Sequence, residues 1–184
     1  MPPPLPVLFA FGVSGSWRVE RVGAVLGVSL PHAARLSVIE GPQASAPPGT
    51  AWMLRGTTSN TRYTTRSELD GLGARQEGLG RPFSRRAALI PIRKTEEWWA
   101  LAQDERRAIF EEQSRHIGIG LDYLPAIARR LHHCRELGEA FDFVTWFEYA
   151  PQHSNAFEEL VRRLRETKEW AYVDREVDIR LSLD

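Results

Sequence analysis

The second half of the sequence contains patterned segments in the order strand, helices, strand, helix, strand, and this order constrains the fold most. The run AALIPIR, residues 87–93, is typical of a buried strand. In FDFVTWFEYA, residues 141–150, and in EVDIRLSL, residues 176–183, side chains alternate with the period of two that strands require. Between these two runs, apolar residues have helical spacing from about residue 155 to 168. The order predicts an α+β fold with a largely antiparallel sheet and helices on its outer face.

Two helical patterns between residues 104 and 131 carry the first candidate site residues. Asp104 is suited to cap a helix, and the apolar spacing that follows places His116 on the side that faces the interior. The run LPAIARRL, residues 124–131, predicts a second helix, which would carry Arg129 and Arg130. Taken alone, such a histidine is more often a hydrogen-bonded core residue, and adjacent arginines are more often a solvated pair.

The first half of the chain is less regular. Residues 17–41 are ambiguous between strand and helix, and residues 72–83, rich in glycine and proline, predict a mobile connection or a closing loop. We therefore divide the chain into an N-terminal half, 1–80, and a C-terminal half, 81–184. Three runs of the first half predict strands from their apolar or Thr-rich and aromatic composition: Leu5–Val13, AWMLRGTTS (51–59) and TRYTTRSEL (61–69).

Composition excludes several classes of protein. The 184 residues are 42% hydrophobic, which is enough to bury a core. The 24 basic and 24 acidic residues balance, so no net field would recruit nucleic acid or an anionic membrane. Cys134 is the only cysteine, which excludes an internal disulfide and fits a reducing compartment. The amino end lacks the basic region of a signal peptide, and no apolar run is long enough to span a membrane, so we expect a cytoplasmic protein.

Several motifs resemble those of the chlorite dismutase family, and most closely its short, N-terminally abbreviated lineage. The resemblance is dense from ALIPIRKTEEWW through DERRAIFEEQSRHIGIGLDYLPAIARR to TWFEYAP and LRETKEWAYVDREVDIRL. It is looser in ASAPPGTAWMLRG, TRYTTR and QEGLGR. The resemblance implies a subunit with a ferredoxin-like α+β barrel, a haem b in the C-terminal half, and assembly as a homodimer. It also implies an enzyme that converts chlorite to chloride and dioxygen.

The same resemblance assigns roles to individual residues. His116 would be the proximal ligand of the haem iron, and an imidazole nitrogen is a good ligand for that metal. A glutamate would accept a hydrogen bond from its other nitrogen; Glu169 is the first choice and Glu148 the second. Arg129 would be the distal arginine, which binds the chlorite anion and retains hypochlorite until the oxygen–oxygen bond forms. Gln76 would lie beside this arginine and tune its position.

Four further residues resemble those that line the haem edge or its propionates, namely Lys94, Trp98, Trp99 and Tyr63. The lysine would be a charge partner for a carboxylate. His132, His133 and Cys134 suggest a metal cluster, but neighbours on a helix point about 100 degrees apart and cannot close one tetrahedral site. We interpret them as packing or surface residues.

Two alternative functions share the expected fold. Coproheme decarboxylases resemble this chain but use a tyrosine and generally do not have the distal arginine, so Arg129 favours chlorite chemistry. A non-enzymatic haem-binding protein of the same fold is the other alternative. General peroxidase activity is disfavoured because no distal histidine is found at a matching position to act as acid and base.

Overall fold

A single antiparallel sheet of eight strands closes into a barrel in the computed structural model, which describes residues 4–58, 65–75 and 78–184. Around the barrel the order is β1-β3-β2-β8-β5-β7-β6-β4, and β4 pairs with β1 to close it. All of the strand pairs are antiparallel. The strands are β1 (Pro6–Gly12), β2 (Trp17–Leu26), β3 (Arg35–Glu40), β4 (Thr50–Thr58), β5 (Arg86–Lys94), β6 (Ile127–His133), β7 (Phe143–Tyr149) and β8 (Val173–Leu183).

The helices connect the strands and lie outside the barrel. They are α1 (Arg66–Arg75), α2 (Glu96–Ala100), α3 (Gln103–Arg107), α4 (His116–Asp122) and α5 (Ser154–Arg165). A π-helical turn (Ala108–Gln113) follows α3. Three short 3₁₀ turns complete the described elements: Arg135–Leu137, Pro151–His153 and Lys168–Tyr172. None of the helices in these ranges has both the length and the apolar run that crossing a bilayer would take.

Two apolar cores result from the alternation of side chains along the strands. Inside the barrel, Phe9, Leu89 and Trp146 belong to one buried cluster, to which both halves of the chain contribute. Outside it, residues of β5 and β7 pack against the buried face of α5, which consists of Phe157, Leu160, Val161 and Leu164. Because successive strand residues point to opposite faces, one strand serves both cores. The expected α+β fold, with an antiparallel sheet and outer helices, is confirmed.

Closure of the sheet within one chain departs from a strictly ferredoxin-like arrangement. The four strands of residues 1–80 are neighbours, as are the four of residues 81–184, and the two groups meet where β2 pairs with β8 and β4 with β6. The division into two halves stays a prediction, since both groups share the inner core.

The second predicted helix is wrong, because residues 127–133 form β6. Each of its seven residues pairs with a residue of β7, from Ile127 opposite Tyr149 to His133 opposite Phe143. The run LPAIARRL matches helical spacing locally, but pairing with a neighbouring strand overrides local preference. Arg129 and Arg130 therefore point to opposite faces of the sheet instead of lying side by side on a helix.

The first predicted helix is also wrong in its extent. The helix begins after Ala102, its N-cap, and not at Asp104. The helical conformation is interrupted just before His116, at Arg115, whose φ of 53° is left-handed. The side chain of Glu111 accepts hydrogen bonds from Ile117 N and Gly118 N, so α4 starts anew at His116 with its own cap.

Residues 66–75 form α1, where the sequence analysis expected a strand followed by a loop. Thr65 and Glu68 form a capping box: Thr65 N donates to Glu68 Oε2 at 2.7 Å, and Glu68 N donates to Thr65 Oγ1 at 3.4 Å. The spacing T-x-x-E was the overlooked signal. The ambiguous residues 17–41 contain β2 and β3, and the strands predicted for β1, β4, β5, β7 and β8 and the helix predicted for α5 are confirmed.

The interior of the barrel holds two ionisable groups that burial keeps neutral. Burial raises the pKa of the Cys134 thiol to about 12, and this side chain is 0% exposed. Burial lowers the pKa of His132 to about 4, an effect that a hydrogen bond to Val144 O only partly offsets. His132 lies edge-on to Phe9, with 5.0 Å between ring centroids.

His132 should make the protein less stable as pH falls from 6.5 to 4. In this window the unfolded histidine binds a proton and the folded one does not, so the stability that is fully present above the unfolded pKa is progressively lost. The shift corresponds to about 3 kcal/mol. In His132→Asn the amide can still donate to Val144 O but does not titrate. Between pH 6.5 and 4, the free energy of unfolding measured with urea should therefore fall by about 3 kcal/mol less in this variant than in the parent protein. Equal pH slopes in the two proteins would contradict the assignment.

Candidate functional site

His116 and Glu169 meet on the outside of the barrel, although 53 residues separate them in the chain. His116 is the first residue of α4, and its Nδ1 lies 2.7 Å from Glu169 Oε2. Glu169 belongs to the 3₁₀ turn before β8 and is only 3% exposed. Its other oxygen, Oε1, accepts a hydrogen bond of 2.7 Å from Lys94 Nζ at the end of β5. The carboxylate is thus shared by two cationic or polar partners.

The charge state of Glu169 decides which nitrogen of His116 is available. Burial alone would raise the pKa of this carboxyl, but Lys94 and His116 outweigh burial and lower it to about 2. An ionised carboxylate can only accept hydrogen bonds, so His116 Nδ1 must donate to it. In a neutral imidazole this leaves the lone pair on Nε2.

Aromatic rings surround this polar pair. The Phe110 ring stacks on His116 with 4.5 Å between centroids, and the Trp170 ring lies 6.4 Å away at an interplanar angle of 21°. Lys94 Nζ lies 4.4 Å from the centroid of Trp98 and 5.6 Å from that of Trp170. The His116 side chain is 22% exposed. The imidazole is therefore held by a hydrogen bond at Nδ1 and by a stacked ring, and its side chain remains partly exposed.

Arg129 reaches the same helix from β6. It lies opposite Phe147 in the strand register and points to the outer face of the barrel. Its guanidinium rests against the backbone of Gly120, where an added Cβ would overlap it. Gly120 is four residues after His116, so the two share one face of α4. Burial lowers the pKa of Arg129 to about 10, against the opposing charge of Glu111, and the group remains cationic at neutral pH.

Trp99 is positioned by Asp142, a buried residue that the sequence analysis missed. Trp99 Nε1 donates to Asp142 Oδ2 at 3.2 Å, and the same oxygen accepts from Lys94 N at 2.7 Å. The Arg135 guanidinium lies 4.0 Å from the Trp99 ring centroid. Asp142 thus links Trp99 to the strand end that carries Lys94. Its only sequence signal was a carboxylate next to the aromatic β7.

Other candidates lie elsewhere. Glu148 accepts from Trp146 Nε1 at 2.8 Å and from Gly80 N at 2.6 Å, so it does not serve His116. His132 contacts the inner core, whereas His133 packs outside, 5.2 Å from the ring of Phe143. They follow the alternation of a strand, not the helical spacing assumed from sequence. The predicted roles of Gln76 and Tyr63 fall on residues outside the described ranges.

The residues present fit a haem. His116 would hold the iron through Nε2, and a carboxylate hydrogen-bonded to the other ring nitrogen is the arrangement that orients metal-binding histidines. Gly120, one turn from the histidine, has no side chain, and the Arg129 guanidinium occupies the space that a Cβ would fill. A charged donor in this position is suited to bind a small anion.

Comparisons with known proteins show which family this chain resembles. The family model described as chlorite dismutase matches residues 49–183. The crystal structure of a dimeric chlorite dismutase from Nitrobacter winogradskyi is 54% identical, with a TM-score of 0.88, and the match covers 96% of this chain and 99% of that one. A chlorite dismutase from Candidatus Nitrospira defluvii, solved in complex with imidazole, is 23% identical with a TM-score of 0.69, covering 97% and 91% of the two chains, and shows the fold alone.

A curated relative gives a shorter match. The chlorite dismutase of Ideonella dechloratans is 32% identical over 86 residues, which cover 47% of this chain and 28% of that protein. The matched segment is thus well under two thirds of that relative's length. The family model, in contrast, extends over most of the chain and includes His116, Arg129 and Glu169. The chain belongs to the chlorite dismutase family.

Proposed function

We propose that this protein is a haem b enzyme that converts chlorite to chloride and dioxygen and that works as a homodimer. The observation that carries the proposal is the contact of the Arg129 guanidinium with Gly120 of α4, one turn from His116, together with the hydrogen bond between His116 and an ionised Glu169. Family membership supplies the reaction, and the Nitrobacter winogradskyi relative, described as dimeric, supports the assembly. The redox chemistry that breaks chlorine–oxygen bonds and forms the oxygen–oxygen bond is what the bound haem supplies.

His116 would hold the iron through Nε2, and Glu169 would keep the imidazole oriented and electron-rich. A carboxylate that accepts the Nδ1 proton makes the opposite nitrogen a stronger donor. Lys94 limits this effect because it shares the same carboxylate at 2.7 Å. The two partners together keep Glu169 ionised in a buried position, so its hydrogen bond to His116 persists across the neutral pH range.

Arg129 would bind chlorite and retain the hypochlorite that forms when the first chlorine–oxygen bond breaks. The chain has no net charge, so chlorite must be attracted by a local cation. The guanidinium is cationic at neutral pH and partly withdrawn from water, which strengthens its interaction with an anion. Loss of one oxygen from chlorite leaves the hypochlorite anion, and the same cationic group would keep it from leaving before dioxygen forms. Gln76 would assist, and Trp98, Trp99 and Tyr63 would line the haem.

Oxygen release from chlorite tests this function. Purified protein is loaded with haem, its occupancy is checked by the Soret band, and chlorite is added in an oxygen electrode. We expect one dioxygen for each chlorite consumed, with haem-free protein and free haem as controls. A haem-loaded protein that releases no oxygen would show that the chain has the family's fold without its activity.

A further inference from the structure

The π-helical turn Ala108–Gln113 and the residue after it contact both members of the His116–Glu169 pair. Phe110 stacks on the imidazole, as described above. Ser114 contacts Glu169, and Glu111 contacts the backbone N–H groups of the two residues that follow His116. π-helical turns are rare and occur frequently at functional sites. Through these contacts the turn supports both the helix that begins with His116 and the turn that carries Glu169.

Glu111 fixes the start of the helix that carries the histidine. Its Oε2 accepts from Ile117 N at 2.7 Å and its Oε1 from Gly118 N at 3.3 Å. These are the second and third residues of α4, whose N–H groups have no partner within the helix. Arg115, at the N-cap, provides no side-chain hydrogen bond and is left-handed. The carboxylate of Glu111 therefore replaces the usual cap and also complements the helix dipole.

Ser114 fixes the glutamate. Its Oγ accepts a 2.9 Å hydrogen bond from the backbone N of Glu169, and the two residues are 5% and 3% exposed. A buried hydrogen bond of this kind is costly to lose, since the N–H of Glu169 would be left without this partner away from water. Ser114 precedes His116 by only two residues. The segment that carries His116 and the turn that carries Glu169 are therefore joined by two hydrogen bonds, one between the two side chains and one from Glu169 N to Ser114.

We propose that Glu111 and Ser114 are positioning residues that set the geometry of the His116–Glu169 hydrogen bond, and through it the binding of iron by His116. The effect on iron binding rests on the proposed function, whereas the effect on the geometry of the hydrogen bond does not. Without Glu111 the first turn of α4 loses its cap, and the orientation of the His116 side chain is no longer fixed. Without Ser114 the turn that carries Glu169 loses its anchor.

Haem-free protein tests the first step. The proton on His116 Nδ1 should give a far-downfield NMR resonance, identified by its loss in Glu169→Ala. In Glu111→Gln and Ser114→Ala, this resonance should move upfield or broaden. Glu112→Gln is the matched control, because Glu112 is exposed on the same turn and the same charge is removed. An unchanged resonance in both test variants would overturn the proposal. Ser114→Ala removes one hydroxyl, so it gives an answer even if Glu111→Gln folds poorly.

Haem-loaded protein tests the second step. Because residues beyond the first ligand typically change metal affinity by 10–100-fold, we expect about 10-fold weaker haem binding in each test variant. The iron–histidine stretching band in resonance Raman spectra should move to lower frequency, and Glu112→Gln should match the parent protein in both respects. Parent affinity and parent frequency in both variants would overturn the link to iron. An inactive parent protein would instead count against the proposed function, while the NMR result still decides the hydrogen-bond geometry.

Discussion

Arg129→Ala should bind haem normally and lose most of its oxygen release. The guanidinium is the cation that the structure places on the face of α4 shared with His116, and alanine offers chlorite no donor. Removing one preorganised donor from an active site typically costs 10²–10³-fold in rate, and we expect a loss of about that size in kcat/KM. Hypochlorite should also escape more often and destroy the haem. The oxygen electrode measures the first effect, and the decay of the Soret band during turnover measures the second.

Arg130→Ala is the matched control for this experiment. Arg130 is adjacent in sequence but points to the other face of β6, where it pairs with Glu40 and donates to His132 Nε2 at 3.2 Å. The control should therefore keep its oxygen release and its resistance to bleaching. Unaltered turnover in Arg129→Ala would remove the arginine from the mechanism. An equal loss in both variants would indicate a general effect of charge near β6.

His116→Ala should fold and yet come out largely free of haem. The variant removes Nε2, the proposed iron ligand, whereas the partner carboxylate keeps its ion pair with Lys94 and stays satisfied in its buried position. We expect the Soret band after haem addition to fall to the level of non-specific binding. Circular dichroism and the urea midpoint should show that the barrel is intact.

A histidine elsewhere provides the comparison. His32 is exposed and lies outside the strands, so His32→Ala should bind haem as the parent protein does. Full haem occupancy with an unchanged spectrum in His116→Ala would end the ligand assignment. Loss of haem in both variants would point instead to a preparation problem or to a general effect of removing imidazoles.

The periodic elements were predictable from local sequence patterns, whereas a barrel was expected only from the family resemblance. The alternation in β7 and β8 and the apolar stripe of α5 are local patterns, and local patterns report which face is buried. Nothing in them shows that β1 would pair with β4 or β2 with β8. Pairing depends on contacts between distant segments, which also explains why LPAIARRL has helical spacing and yet contributes to the strand β6.

The candidate site was predictable only in part, for a similar reason. The pairing of His116 with Glu169 spans 53 residues, and only the family resemblance suggested it. Asp142, Glu111 and Ser114 stand in runs that were read only for their spacing, and the contacts that give them a role are with residues distant in the chain or with backbone N–H groups, which spacing does not report. Arg129 was singled out by the family resemblance and stays a predicted site residue, but the expected helix would have placed it differently from β6.

The burial of Cys134 bears on how the protein withstands its own chemistry. Chlorite and hypochlorite are oxidants, and among protein side chains the thiolate form of cysteine is especially susceptible to oxidation. Cys134 is the only cysteine of the chain; it is 0% exposed inside the barrel, and burial raises its pKa to about 12, so it is a thiol at neutral pH. Because the barrel encloses this thiol and keeps it protonated, we expect it to react slowly with the oxidants of the proposed reaction.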